Sequence, residues 1–128
     1  MVNCHCRDCQ RAGGTGYSPT VVVARVDFRL SGEQPKYHEL ISVSGNTASR
    51  AFCGRCGSPL FASSSARTDF VGVRAGSLDD PSWFRPTVDV WIASAQPWDF
   101  LHPDTKKFAQ DRTQARDADH PVAADGHA

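Results

Sequence analysis

The chain has 128 residues, with 14 basic against 14 acidic side chains and a formal net charge of +0, so no electrostatic case exists for nucleic acid or an anionic membrane surface. That length makes one domain with a thin core, the size at which small folds often add metals or disulfides. No stretch approaches the roughly 20 apolar residues of a membrane span, and neither a basic nor an apolar leader precedes the first motif, so the expectation is a soluble, cytoplasmic protein.

The N-terminal "NCHCRDC" places Cys4, Cys6 and Cys9 within seven positions. Residues 7–11 have room for one helical turn before "AGGTG", whose glycines exclude a helix interior. Residues 17–32 are β-branched and aromatic with polar positions interleaved, and read as strand up to a turn at Ser31-Gly32. "PKYHELIS", "TASRAF" and "PLFASSS" are further short strands separated by Gly, Asn and Ser clusters. "DFVGVRAG" and "TVDVWIAS" alternate with period two, the pattern of half-buried strands. Between them, "LDDPSWF" is a candidate for one helical turn capped by Asp79 or Asp80. The expected fold is therefore all-β, short antiparallel strands with one or two helical turns, over a domain of residues 1–103. From Asp104 the composition turns to Asp, Ala, Arg, Gln and His, and residues 104–128 are expected to form a disordered polar tail.

Five cysteines, Cys4, Cys6, Cys9, Cys53 and Cys56, make an odd and closely spaced set. That is a poor disulfide framework, and in a reducing compartment such thiols are metal ligands or redox groups. On an extended segment alternate residues face opposite ways, so Cys4 and Cys6 share a face while His5 points away, and Cys9 returns from the following turn. Three sulfurs can thus converge on one ion. Zinc in a closed site takes four ligands and in a catalytic site keeps one position open. Cys53-Gly54-Arg55-Cys56-Gly57 has the form of a zinc knuckle, with a vicinal redox pair as its competitor. His5, His38, His102, His120 and His127 lack ligand spacing to one another and read as solvated or packing residues, His5 being the least safe. Trp83, Trp91 and Trp98 read as core or rim aromatics, and Asp79-Asp80 as a cap rather than an acid/base pair.

"CHCRDCQRAGG", "FCGRCGSPLF", "GSLDDPSWFRP" and "VWIASAQPW", in that order, resemble the glutathione-dependent formaldehyde-activating enzyme family, whose domain centromere protein V shares. The resemblance covers roughly residues 2–100. It implies a β-rich fold like that of a guanine-nucleotide-exchange chaperone, with small antiparallel sheets around zinc. It further implies a catalytic zinc on Cys4, Cys6 and Cys9. A structural zinc would take Cys53, Cys56 and two cysteines of a first-strand "G-x-C-x-C-G" that lies upstream of the trio in the family. This chain begins after that point, which leaves the second site with two of four thiols, empty, oxidised or completed by another chain, as in a homodimer. A lesser departure is Asp89, where the family favours histidine.

The function implied is that of a zinc-dependent carbon–sulfur lyase-type enzyme. It would activate a thiol, glutathione or similar, for addition to or release from formaldehyde or a related small electrophile. Two alternatives stand beside it: a non-catalytic zinc-binding interaction module, and a thiol redox protein using Cys53 and Cys56.

Overall fold

A computed structural model describes residues 1–42 and 44–112. In chain order its elements are β1 (Val2–Cys4), α1 (Arg7–Gly13), β2 (Ser18–Ala24), β3 (Lys36–Ile41), β4 (Thr47–Phe52), β5 (Pro59–Ser64), β6 (Phe70–Arg74), β7 (Val88–Val90) and β8 (Lys106–Lys107). Short 3-10 turns occupy Arg25–Asp27, Ala75–Ser77 and Ile92–Ser94. The fold is thus mostly β with one short helix, as the alternation in the sequence requires. None of the described helices is long and apolar enough to cross a membrane. The chain divides into two compact units, Thr20–Trp83 and the remainder, Met1–Pro19 with the C-terminal part from Phe84.

The central unit is antiparallel, in the order β3-β4-β5-β6-β2. Its register aligns Tyr37, Ala51, Phe61, Val73 and Val21 as cross-strand partners in one row across all five strands. Side chains alternate along each strand, so such a row lies on one face. Phe28 packs on that face with its ring 4.7 Å from Phe61, and Ala51 and Val71 are buried beside it. Strand β3 is the edge, and Lys36, His38 and Glu39 keep it in water. Gly72 is needed where β6 meets β2, because a Cβ there would lie 2.8 Å from Thr20 Cγ2.

The second unit departs from the antiparallel expectation. Strand β7 pairs in parallel with both β1 and β8, with Asn3 opposite Asp89 and Asp89 opposite Lys107. Parallel neighbours need a long connection, and residues 91–105 supply one between β7 and β8. The strand expected over "TVDVWIAS" stops at Val90 because Trp91 takes a left-handed conformation (φ 59°, ψ 36°) and turns the chain into the 3-10 segment that follows. The helical turn expected at "LDDPSWF" does not form. Asp80 Oδ1 accepts the Ser82 amide at 3.0 Å and holds only a turn there.

Residues 104–112, assigned by composition to a disordered tail, are ordered. The Lys106 amide bonds to the Thr87 carbonyl (3.0 Å) and the Phe108 amide to that of Asp89 (2.9 Å). The Phe108 carbonyl in turn accepts the Ile92 amide (3.1 Å), and the Phe108 ring is 7 % exposed. One buried aromatic and a two-residue strand suffice to anchor a segment whose average composition is polar. The remainder of the expected tail, residues 113–128, lies outside the described residues.

Candidate metal centre

Strand β1 ends at Cys4, and the chain stays extended through Cys6, which caps α1: its Sγ accepts the Cys9 amide at 3.3 Å. A thiol thus takes the place usually held by Ser or Asp, and an amide aimed at sulfur suits a thiolate. The helix runs one turn beyond the trio and ends where Gly14 adopts φ 67°, as the glycine-rich loop predicts. This arrangement brings the Sγ atoms of Cys4, Cys6 and Cys9 within 4.8 Å of one another, with Cys6 and Cys9 buried. Zinc–sulfur bonds of about 2.3 Å place tetrahedral sulfurs slightly under 4 Å apart, so the three can close on one ion with little movement. Among the described residues it is the one group of three or more such donors, and no fourth His, Cys, Asp or Glu joins it.

Without an ion Cys4 and Cys6 favour the protonated form. Hydrogen bonds with Cys6 and then Cys9 push the Cys4 thiol well above its ordinary value, and burial adds to the effect. For Cys6, a hydrogen bond with Cys4 pulls down, but the hydrogen bond with Cys9, burial and the Cys9 charge outweigh it and raise it to about 11.

His5, between the two ligands, points away as the alternation requires. It is 1 % exposed, and its Nε2 lies 2.7 Å from Oδ1 of Asp89, itself 1 % exposed. Nδ1 lies 3.2 Å from Asp99 Oδ2, close enough for an ionic contact but not aligned as a hydrogen bond. The Tyr17 ring covers the imidazole at 5.1 Å. Burial, then the charges of Asp99 and Asp89, raises the Tyr17 hydroxyl. Asp89 also accepts a hydrogen bond from Thr105 Oγ1. Burial pushes the Asp89 carboxyl upward, yet its hydrogen bonds with His5 and Thr105 win and hold it below the usual carboxylate value. Lys107, buried nearby on β8, gives its ammonium protons to the carbonyls of His102 (2.7 Å) and Thr105 (3.0 Å) and to Thr105 Oγ1 (3.1 Å).

Sequence reasoning did not assign His5, Asp89 or Asp99 to a site. A signal existed for two of them. A histidine wedged between two candidate ligands, and an aspartate inside a short valine strand, both need partners if buried. Asp99 carried no such signal. Of the other histidines, His38 and His102 are exposed, and His120 and His127 lie outside the described residues.

Cys53 and Cys56 form a loop of knuckle shape between β4 and β5. The Gly57 amide bonds to the Cys53 carbonyl (2.8 Å), the Arg55 amide points at Cys53 Sγ (3.4 Å), and Gly57 takes φ 76°. Cys53 is half-buried and Cys56 exposed. The Cys56 thiol, 3.0 Å from Ser58 Oγ, is lowered chiefly by that hydroxyl. Among the described residues no third such donor completes this pair.

A β-rich fold whose one unit carries a close trio of cysteine sulfurs and whose other carries a C-x-x-C knuckle defines a class of small cysteine-centred domains. The model of the glutathione-dependent formaldehyde-activating enzyme family matches residues 1–94, and the chain belongs to that family. No curated protein matches the chain with significance.

Proposed function

We propose that this chain is a zinc-dependent carbon–sulfur lyase-type enzyme acting on glutathione or a similar small thiol, adding it to formaldehyde or a related electrophile or releasing it. The observation that carries the reading is the trio itself: three sulfurs within 4.8 Å and no fourth protein donor in the cluster among the described residues. Cys4, Cys6 and Cys9 would hold the ion and leave one position facing substrate. Zinc held there supplies the positive charge that keeps a substrate thiol deprotonated near neutral pH. Three cysteine thiolates already outweigh the charge of the ion, which favours a soft sulfur over polarised water and thiol chemistry over hydrolysis. The sulfur then attacks the aldehyde carbon, and the oxygen takes a proton to give the hydroxymethyl thioether. The reverse path returns both. We place this chemistry in the cytoplasm, where reducing conditions keep such cysteines as thiols.

Calorimetry in buffers of different ionisation enthalpy tests the reading. Glutathione should bind the zinc-loaded protein with release of about one proton per site, and S-methylglutathione should bind far more weakly with none. A Cys6→Ser variant should lose about one equivalent of zinc. Equal binding of the two ligands without proton release overturns thiol activation, and an unchanged zinc content removes the trio from the account.

A second reading rests on the exposed Cys56 thiol beside Ser58, which suits a redox pair with Cys53. It requires a disulfide between them that forms and opens reversibly near the glutathione potential.

A further inference from the structure

All four polar groups of His5 have a protein group close at hand. Its amide donates to the Val90 carbonyl at 3.0 Å, and its carbonyl accepts from Gln10 Nε2 at 2.7 Å. On the ring, Asp89 stands at 2.7 Å from one nitrogen and Asp99 at 3.2 Å from the other. These four groups come from α1, from β7 and from the segment that follows it. Three of them, on Gln10, Asp89 and Asp99, have further support. Gln10 is buried and also donates to the Ser94 carbonyl at 2.9 Å, while its Oε1 accepts from Gln96 Nε2 at 3.1 Å. Asp89 has Thr105 on its second oxygen. Asp99 reaches His5 only because residue 16 is glycine: a Cβ at Gly16 would lie 2.6 Å from both Cγ and Oδ2 of Asp99.

We propose that His5, held between Asp89 and Asp99, is a positioning residue that fixes the spacing of Cys4 and Cys6 for the metal. This rests on the reading of the trio as a metal centre. The physical case is pre-organisation. Cys4 and Cys6 are joined through one residue only, so a change in the His5 backbone dihedrals changes the spacing of their sulfurs. Strand β1 is three residues long and cannot fix that backbone by its own ladder. The amide bond to Val90 holds one side of it, and the rest of the lock comes from the side chain and from Gln10. Neither carboxylate lies in the metal cluster, so their effect passes through the histidine. Partners of this kind, one step removed from the ligands, commonly account for ten- to a hundredfold in metal affinity.

The test uses cobalt(II) in place of zinc, because sulfur-to-cobalt charge-transfer and ligand-field bands report thiolate number and geometry directly. Asp99→Asn removes the charge with little change of shape. Gly16→Ala leaves Asp99 intact but displaces it. Both should weaken cobalt binding about tenfold or more, measured against a chromophoric chelator, and both should shift the ligand-field bands. Val71→Ala, a destabilising change in the other unit, controls for lost stability alone and should leave the bands where they are. A parent with the charge-transfer band, and two variants that keep its spectrum and affinity, overturn the positioning role while leaving the metal centre intact. A loss of affinity no greater than that of Val71→Ala, with unshifted bands, overturns it as well. A parent that shows no charge-transfer band overturns the metal reading and this proposal with it.

Discussion

Phe108 offers a direct test of whether the ordered C-terminal segment belongs to the fold. Its ring is 7 % exposed, and its amide and carbonyl bond to Asp89 and Ile92 on either side of the left-handed Trp91. Phe108→Ala keeps the main-chain bonds and removes only the ring, so the cost is that of a large-to-small core change, about 3–5 kcal/mol. For a domain of this size 1 kcal/mol corresponds to about 4 °C in unfolding temperature, which gives a fall of roughly 12–20 °C. Truncation after Pro103 should cost more, because it also removes the Thr105 hydroxyl from Asp89 and the backbone bonds of β8. Thermal unfolding followed by circular dichroism reads both. A Phe108→Ala midpoint within a degree or two of the parent would mean that the segment rests on the unit without stabilising it, and the reasoning from burial would fail.

Two further outcomes concern protons. Cys4 and Cys6 both sit above the ordinary thiol value, so metal binding must displace a proton from each. The apparent affinity for zinc or cadmium should therefore rise by at least about two logarithmic units per pH unit between pH 6.5 and 8. A chelator competition giving a slope of one or less would contradict it. Asp89 has the opposite sense. Its folded value is depressed, so it contributes stability that is present above the unfolded carboxylate value near 4 and is lost as pH falls through the folded value. The stability gap between the parent and Asp89→Asn, taken from urea midpoints, should accordingly be wide at pH 7 and shrink below about pH 4. A gap independent of pH would assign the loss to shape rather than charge.

Much of the central unit was legible because its determinants are local. "TASRAF" and "PKYHELIS" are short runs bounded by glycine, asparagine or proline, and β4 and β3 fall on them. Register follows from the same pattern, since a one-residue slip would carry Phe61 and Val73 to the face of Gly72. The failures lie where partners are remote. "TVDVWIAS" has the period of a longer strand, but nothing in it announces that Trp91 will take a left-handed turn, because the groups that hold that turn, the carbonyls of Gln110, Phe108 and Ala109, come from some twenty residues further on. Those are the residues that composition assigned to a tail. Mean polarity is a poor guide to a segment that buries Phe108 together with two polar residues, Thr105 and Lys107, whose partners the fold supplies.

The same division runs through the candidate site. The trio is readable because its geometry is set within six residues: alternation aligns Cys4 with Cys6, and one turn of α1 returns Cys9. The His5 frame is not, because Asp89 and Asp99 stand 84 and 94 positions from His5 and approach it only when β7 is laid parallel to β1. A histidine without ligand spacing reads as a packing residue for lack of visible partners. Burial changes its meaning. An imidazole 1 % exposed with carboxylates against both nitrogens is costly to assemble, since each charged group loses its water and regains only what its partners return. Ordinary packing at residue 5 would be met more cheaply by an apolar side chain of similar volume. What an apolar residue cannot do is hold an extended backbone in one orientation about two opposite polar contacts. The sequence places that requirement between two thiols that must meet on the other face of the same strand.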